Sequence, residues 1–356
     1  MPGLWYNWFV ENEKFNNLID AGYYSKTYLK IDQPDKEYKA YAWNTAIGLQ
    51  DVDGLKVSSY LIDTAKRNID GDISIEEAKD LIKTYYLSKE DRMESREKEA
   101  DIVASNIASV LQEDGFVFSV AQFSAIHKRL FENVLDSAGQ FREYNISKEE
   151  WVLGGESVRY GNAPDLKAML EYDFEQEKQY NYKGLNIDQV IKHLSRFTAN
   201  LWQIHPFAEG NTRTVAVFVI KYLRTLGFNV TNDIFATNSW YFRNALVRAN
   251  YSNLSKGIYE TTEYIEKIFR NLLLNENNSL LNRDLHVEEE DMTTFYGSLP
   301  NQTARQENSV GRPKANLPSN WNEVINKWKD GNISAKEAMK LTGVKRTTFY
   351  KYTKQL

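Results

Sequence analysis

The chain has 356 residues, 42% of them hydrophobic and none of them cysteine, so two or three domains with apolar cores are feasible while disulfides and thiolate metal sites are excluded. No apolar run is long enough for a transmembrane helix, and the first residues lack the basic and apolar regions of a signal peptide, so a cytoplasmic protein without a membrane partner is expected. The net charge of −5 divides unevenly: residues 310–356 hold ten Lys/Arg against three Asp/Glu, a net +7, whereas residues 1–309 hold 34 against 46, a net −12.

Residues 1–38 are aromatic and polar without a clean period, and Pro34 argues against a long helix there. Residues 40–87 read as short helices. Asp51-Val52-Asp53-Gly54 and Asp70-Gly71-Asp72 are turn signals, and Ser74 with Glu77 fits a capping box that opens a helix through about Tyr86. Residues 88–274 form the main body. Ile102, Ile107, Val110 and Leu111 recur near helical spacing, as do Val190, Ile191, Leu194, Phe197 and Leu201. One segment differs: Trp151 to Tyr160 has two short extended runs around Gly154-Gly155 and predicts a β-hairpin. Residues 275–309 are polar and Asn-rich, with an acidic run at Glu288–Asp291, and predict a linker. Helical periodicity returns in the basic end, from about residue 320.

The chemistry is concentrated in His205-Pro206-Phe207-Ala208-Glu209-Gly210-Asn211-Thr212-Arg213-Thr214. An amphipathic helix over about Asp188–Ile204 leads into it, and an apolar helix over Val215–Leu226 leaves it. Gly210 and Asn211 permit a tight, left-handed turn. Their N–H groups, with those of the next helical turn, can form an anion nest favoured by the helix dipole. Arg213 adds a fork of donors for phosphate oxygens. Glu209 is a hard oxygen ligand suited to Mg²⁺ shared with phosphates. His205 is the one side chain of the segment that can accept a proton near neutral pH. Each residue alone has a structural explanation; together they describe phosphoryl or nucleotidyl transfer.

His205 to Arg213 resembles the signature of the Fic family, His-x-Phe-x-(Asp/Glu)-Gly-Asn-Gly-Arg-x-x-Arg, matching at His205, Phe207, Glu209, Gly210, Asn211 and Arg213. The resemblance extends over roughly residues 100–272. It implies an all-α Fic helical core with a small β-hairpin flap, and a reaction that moves AMP from ATP to a Ser, Thr or Tyr hydroxyl of a target protein or of the chain itself. His205 resembles the general base, Glu209 the Mg²⁺ ligand, and Gly210, Asn211, Thr212 and Arg213 the nucleotide site. Gly139-Gln140-Phe141-Arg142 followed by a hairpin resembles the approach to the family's target-docking flap, here Val152, Leu153, Gly154 and Gly155, which would hold a target by strand addition. Two positions depart from the pattern. Thr212 replaces the second Gly, and Ala216 stands where the last Arg, a γ-phosphate partner, is expected. The same site could instead remove AMP, or serve a regulator that only senses nucleotide.

Many Fic proteins are restrained by a helix bearing Ser/Thr-x-x-x-Glu-Gly/Asn whose Glu pairs with that last Arg. Residues 40–87 resemble the antitoxin-like segment beside some Fic cores. Asp53-Gly54 is the nearest analogue of Glu-Gly, but Leu49 lies four residues before it and position 216 is not Arg, so no such brake is expected.

In the basic end, Ser334 with Glu337 can cap a helix, Gly343 provides a turn, and Lys345 to Tyr352 form a second, basic helix. This is the helix-turn-helix pattern for double-stranded DNA. With Gly311-Arg312-Pro313-Lys314 upstream, it resembles the DNA-binding end of resolvase/invertase recombinases, which implies contacts by Arg312, Lys345, Arg346, Thr347, Thr348 and Tyr350. The expected organisation is an N-terminal helical extension (1–87), a catalytic core (88–274), a linker (275–309) and a helix-turn-helix domain (310–356), with homodimerisation left open.

Overall fold

The computed structural model describes residues 36–88, 95–287, 318, 320–329 and 335–344. The chain divides into two compact units, residues 1–291 and 292–356. Among the described residues of the first unit the helices are α1 (Lys36–Gly48), α2 (Ser59–Asp70), α3 (Ile75–Leu87), α4 (Ser95–Gln112), α5 (Val120–Phe131), α6 (Leu166–Gln179), α7 (Ile187–Ile204), α8 (Asn211–Thr225), α9 (Ile234–Ala249) and α10 (Glu263–Leu274). The fold is helical, and an isolated bridge between Asn253 and Ile258 is the β pairing among the described residues. No helix among them is long and apolar enough to cross a membrane.

Helix starts follow local chemistry. The Ser74–Glu77 capping box opens α3, and Asn186 with Gln189 forms another at α7. From there Val190, Ile191, Leu194, Phe197 and Leu201 turn one apolar face inward. Helix α8 is the central element, with every residue from Asn211 to Leu223 buried. Helices α4, α5 and α7 pack around it, and α1 joins α4 to α9. The Lys221 ammonium donates to the Val110 and Glu113 carbonyls and so caps the end of α4. The extension is fastened through buried Asp101, whose carboxylate accepts from the Ser58 backbone N–H at 2.8 Å and the Tyr86 hydroxyl at 2.7 Å.

Two sequence expectations are corrected. Helix α8 starts at Asn211, four residues earlier than Val215, because Gly210 adopts φ 72° and turns the chain directly into the helix. The expected hairpin is a 3₁₀ turn, Trp151–Leu153, followed by two left-handed glycines, Gly154 and Gly155. The Glu150 carbonyl accepts from the N–H groups of both Leu153 and Gly155, which closes the turn on itself. Val152 and Leu153 then enter the core instead of presenting a strand edge, and the Val152 carbonyl is taken by the Val287 N–H at 2.7 Å.

In the second unit, α11 (Trp321–Lys329) and α12 (Ala335–Thr342) share a small core of Trp321, Val324, Ile325 and Ala338, and Gly343 turns at φ 65°. The assigned DNA contacts Arg312, Lys345, Arg346, Thr347, Thr348 and Tyr350 lie outside the described residues, as does Ser334 for its side chain and cap.

Candidate active site

The loop between α7 and α8 is fixed through its carbonyl groups. The His205 carbonyl accepts from Arg142 Nε at 2.8 Å, and the Pro206 carbonyl from the Arg142 N–H at 2.9 Å. Asn211 closes the next step reciprocally, its amide donating to the Phe207 carbonyl (2.8 Å) and its Oδ1 accepting from the Phe207 N–H (3.0 Å). The Glu209 carbonyl is held by His127. Because the Gly139 N–H donates to His127 Nδ1 (2.8 Å), the ring proton sits on Nε2 and is given to Glu209 (3.0 Å). In a planar peptide the next N–H points opposite the carbonyl, so pinning these carbonyls turns the N–H groups of Ala208 and Gly210 the other way. The first N–H groups of α8 have no intrahelical partner and add to this nest.

Gly210 is required here by both conformation and space. A Cβ at its left-handed backbone would stand 2.2 Å from the Phe131 ring. Phe207 is fully buried, its ring stacked on His127 at 3.7 Å, and anchors the loop.

The loop lines a cavity of about 410 Å³. His205, Glu209, Gly210, Asn211, Thr212 and Arg213 all contribute to its wall, so all the sequence-assigned catalytic, metal and nucleotide residues are brought together. Lys148, Arg96 and Arg243 line the same cavity, and sequence reading missed them because no spacing links residues 96, 148 and 243 to the motif. Val152, Leu153, Gly154 and Gly155 do not line it; the last two are exposed.

His205 ends α7 in a left-handed conformation, φ 49° and ψ 57°. Its Nδ1 faces the Trp202 carbonyl at 3.4 Å, which places the proton on Nδ1 and leaves the Nε2 lone pair without a partner among the described residues. The Tyr160 ring packs on the imidazole at 4.4 Å. Burial first, then the charge of Lys148, pushes the imidazole down to about 3. Burial also pushes His127 down to about 4.

These two shifts predict an acid-sensitive fold. Both rings stay neutral in the folded protein through the range where an unfolded histidine takes a proton, about 6.5. The unfolded state therefore binds more protons below that pH. Stability is full above about pH 6.5 and is lost as pH falls towards the two folded values. Asp173, buried and raised to about 6, takes its proton in the folded state and offsets part of this. Urea unfolding between pH 7 and pH 5 is expected to show a falling midpoint, with a shallower fall in His205→Ala. An unchanged midpoint, or an equal fall in the variant, would reject the assignment.

Both departures from the family pattern have a local explanation. Thr212 lies in the first turn of α8, where no left-handed residue is needed, and its hydroxyl accepts from the Trp202 indole at 2.9 Å. Ala216 is fully buried, and α8 packs against the 3₁₀ turn Leu49–Asp53. That turn reaches Arg213. The guanidinium, 2% exposed, lies 3.0 Å from Asp53, 3.1 Å from Glu99 and 3.0 Å from Gln50 Oε1, over the Phe131 ring. Its Nε is buried without an acceptor among the described residues. Asp53, the nearest sequence analogue of the inhibitory Glu, does reach the motif, on Arg213 rather than on position 216.

Residues 117–223 match the sequence profile of the Fic/DOC family. Over 116 residues the chain is 26% identical to a protein of Bartonella schoenbuchensis named protein adenylyltransferase VbhT, covering 33% of this chain and 23% of that one. Over 111 residues it is 31% identical to the probable protein adenylyltransferase y4lH of Sinorhizobium fredii, covering 31% and 55%. The chain thus spans about a quarter of the first relative's length and about half of the second's. The solved N-terminal FIC domain of the Bep8 protein of Bartonella sp. 1-1C aligns with a TM-score of 0.40 and 19% identity, over 52% of this chain and 88% of that one. His205, Glu209 and the Gly210 turn, which the cavity gathers, therefore fall within residues 117–223, the segment that matches the Fic/DOC family.

Proposed function

We infer that the chain is a protein adenylyltransferase that moves AMP from ATP to a Ser, Thr or Tyr hydroxyl. The observation that carries this reading is the motif loop, whose carbonyls are tied to protein so that its N–H groups are left for an anion beside the His205 lone pair. Arg213 lines the same cavity, and its guanidinium is a donor suited to a phosphate oxygen. The names of the relatives over the same segment agree with nucleotidyl transfer.

His205 Nε2 takes the proton of the target hydroxyl. The hydroxyl oxygen attacks the α-phosphorus, the bond to the β-phosphate oxygen breaks, and pyrophosphate leaves with the electron pair. The nest N–H groups stabilise the charge that develops on the phosphate oxygens. Among the described residues no three His, Asp or Glu side chains form a metal cluster. Glu209, a carboxylate on the cavity wall, would hold Mg²⁺, which would supply neutralisation of phosphate charge.

The deciding experiment incubates the protein with Mg²⁺ and ATP labelled at the α or the γ position, with and without cell lysate. Label transferred from the α position alone establishes AMP transfer. Label from the γ position alone, or none in any sample, rejects it.

Asp53 competes with phosphate for Arg213 in this reading. Asp53→Ala is expected to tighten binding of a non-hydrolysable ATP analogue by about fivefold, the upper range for a partly exposed ion pair. Calorimetric titration reads this directly. Weaker binding would place Asp53 among the nucleotide's own partners.

A further inference from the structure

Arg142 is a buried cation for which no carboxylate lies within ion-pair distance among the described residues. It is 4% exposed, and its guanidinium is surrounded by backbone carbonyls. Nε donates to His205 at 2.8 Å, Nη1 to Tyr144, and Nη2 to Gly161 and, at 3.5 Å, to Ile204. Its own N–H donates to Pro206. The Ile204 and His205 carbonyls are the last of α7, so the helix dipole supplies the negative end that a carboxylate would otherwise provide.

Three pieces of chain meet at this side chain. The first is the end of α7 with His205, held left-handed, a conformation that side chains other than glycine adopt at a cost. The second is the outgoing arm at Tyr144, which continues into the cavity-lining residues Ile146, Ser147 and Lys148. The third is the returning arm at Gly161, whose N–H also donates to the Gln203 carbonyl at 3.3 Å. A planar fork with fixed donor directions can satisfy all three at once; a lysine cannot.

We propose that Arg142 is the positioning residue of His205, and that it couples the base to both ends of the 143–161 segment forming the opposite wall of the cavity. The role rests on the proposed transfer reaction but is tested independently of it. Arg142 does not line the cavity and touches no reacting atom. The nest keeps its own supports, His127 and Asn211, when Arg142 is replaced. Nucleotide binding and base placement therefore separate.

The test compares Arg142→Lys and Arg142→Gly with the native chain. For both, kcat for transfer is expected to fall about 100-fold, the loss that a misplacement near 1 Å brings, with nucleotide affinity within threefold. The chain has four histidines, so the His205 ring signal in an NMR spectrum can be assigned with His205→Ala. That signal should move in both variants while those of His193 and His286 stay. Guanidinium ion added to Arg142→Gly should restore part of kcat and return the signal. A thermal melt checks folding; if the glycine variant does not fold, the lysine variant carries the test. An unmoved His205 signal in a folded variant overturns the proposal, as does a kcat within threefold of native. If the native chain transfers no AMP, the function falls, and the NMR comparison still decides the positioning role.

Discussion

His205→Ala is expected to lower AMP transfer by about a thousandfold while leaving nucleotide affinity within about threefold, the range associated with loss of a general base. The separation follows from the loop's construction. The imidazole makes one long contact, to the Trp202 carbonyl, and supports none of the peptide groups of the nest. Those groups are held by Asn211 and His127, which the substitution leaves in place. The backbone bond from the His205 N–H to the Trp202 carbonyl also remains available to alanine. Single-turnover transfer with labelled ATP, beside calorimetric titration of a non-hydrolysable analogue, measures the two quantities. Activity above a tenth of native would remove the base role from His205. A large loss of affinity would show that the ring takes part in binding.

The second large effect is expected for Gly210→Ala. Alanine at φ 72° carries a left-handed penalty of about 1–2 kcal/mol. Its methyl group would also meet the Phe131 ring at 2.2 Å, and crowding a packed core adds about 1–3 kcal/mol. Together these come to about 2–5 kcal/mol, which for a unit of this size lowers Tm by about 4–20 °C. The functional loss should be larger, because the Phe131 ring lies 4.8 Å from the Arg213 guanidinium and cannot yield without shifting it. Gly154→Ala is the control. Its φ of 65° is equally left-handed, but nothing stands within 4 Å of the added methyl. It should cost about 1 kcal/mol and leave nucleotide binding intact. Equal Tm losses in the two variants would show that crowding at Phe131 contributes nothing.

Local chemistry was readable in the sequence where one segment determines it. The Ser74–Glu77 capping box and the apolar face of α7 are set by neighbours within a helical turn, and both stand in the structure as expected. His205, Glu209, Gly210, Asn211, Thr212 and Arg213 converge on one cavity because a short loop between two helices leaves them little choice. The hairpin failed because Val152 and Leu153 fit a strand pattern equally as a core-facing turn, and the burial of that turn depends on Val287, far along the chain. The partners of Arg213 were invisible for the same reason. Gln50 and Glu99 stand 163 and 114 residues away, and no spacing rule connects them. Arg142 appeared only as part of a Gly-Gln-Phe-Arg string. Its work is done by five hydrogen bonds to carbonyls, groups that every residue carries and no sequence pattern marks.

The carbonyls of residues 207 and 209, tethered by Asn211 and His127, have a thermodynamic consequence. A loop that must order itself around a phosphate loses chain entropy on binding. Here that ordering is completed during folding, before any nucleotide arrives. Affinity and stability consequently draw on the same bonds, and a substitution that loosens one of them weakens both. Variation that tunes the nucleotide without destabilising the fold has to fall on the opposite wall, around Lys148, where the chain is exposed and its side chains are not tied into the core.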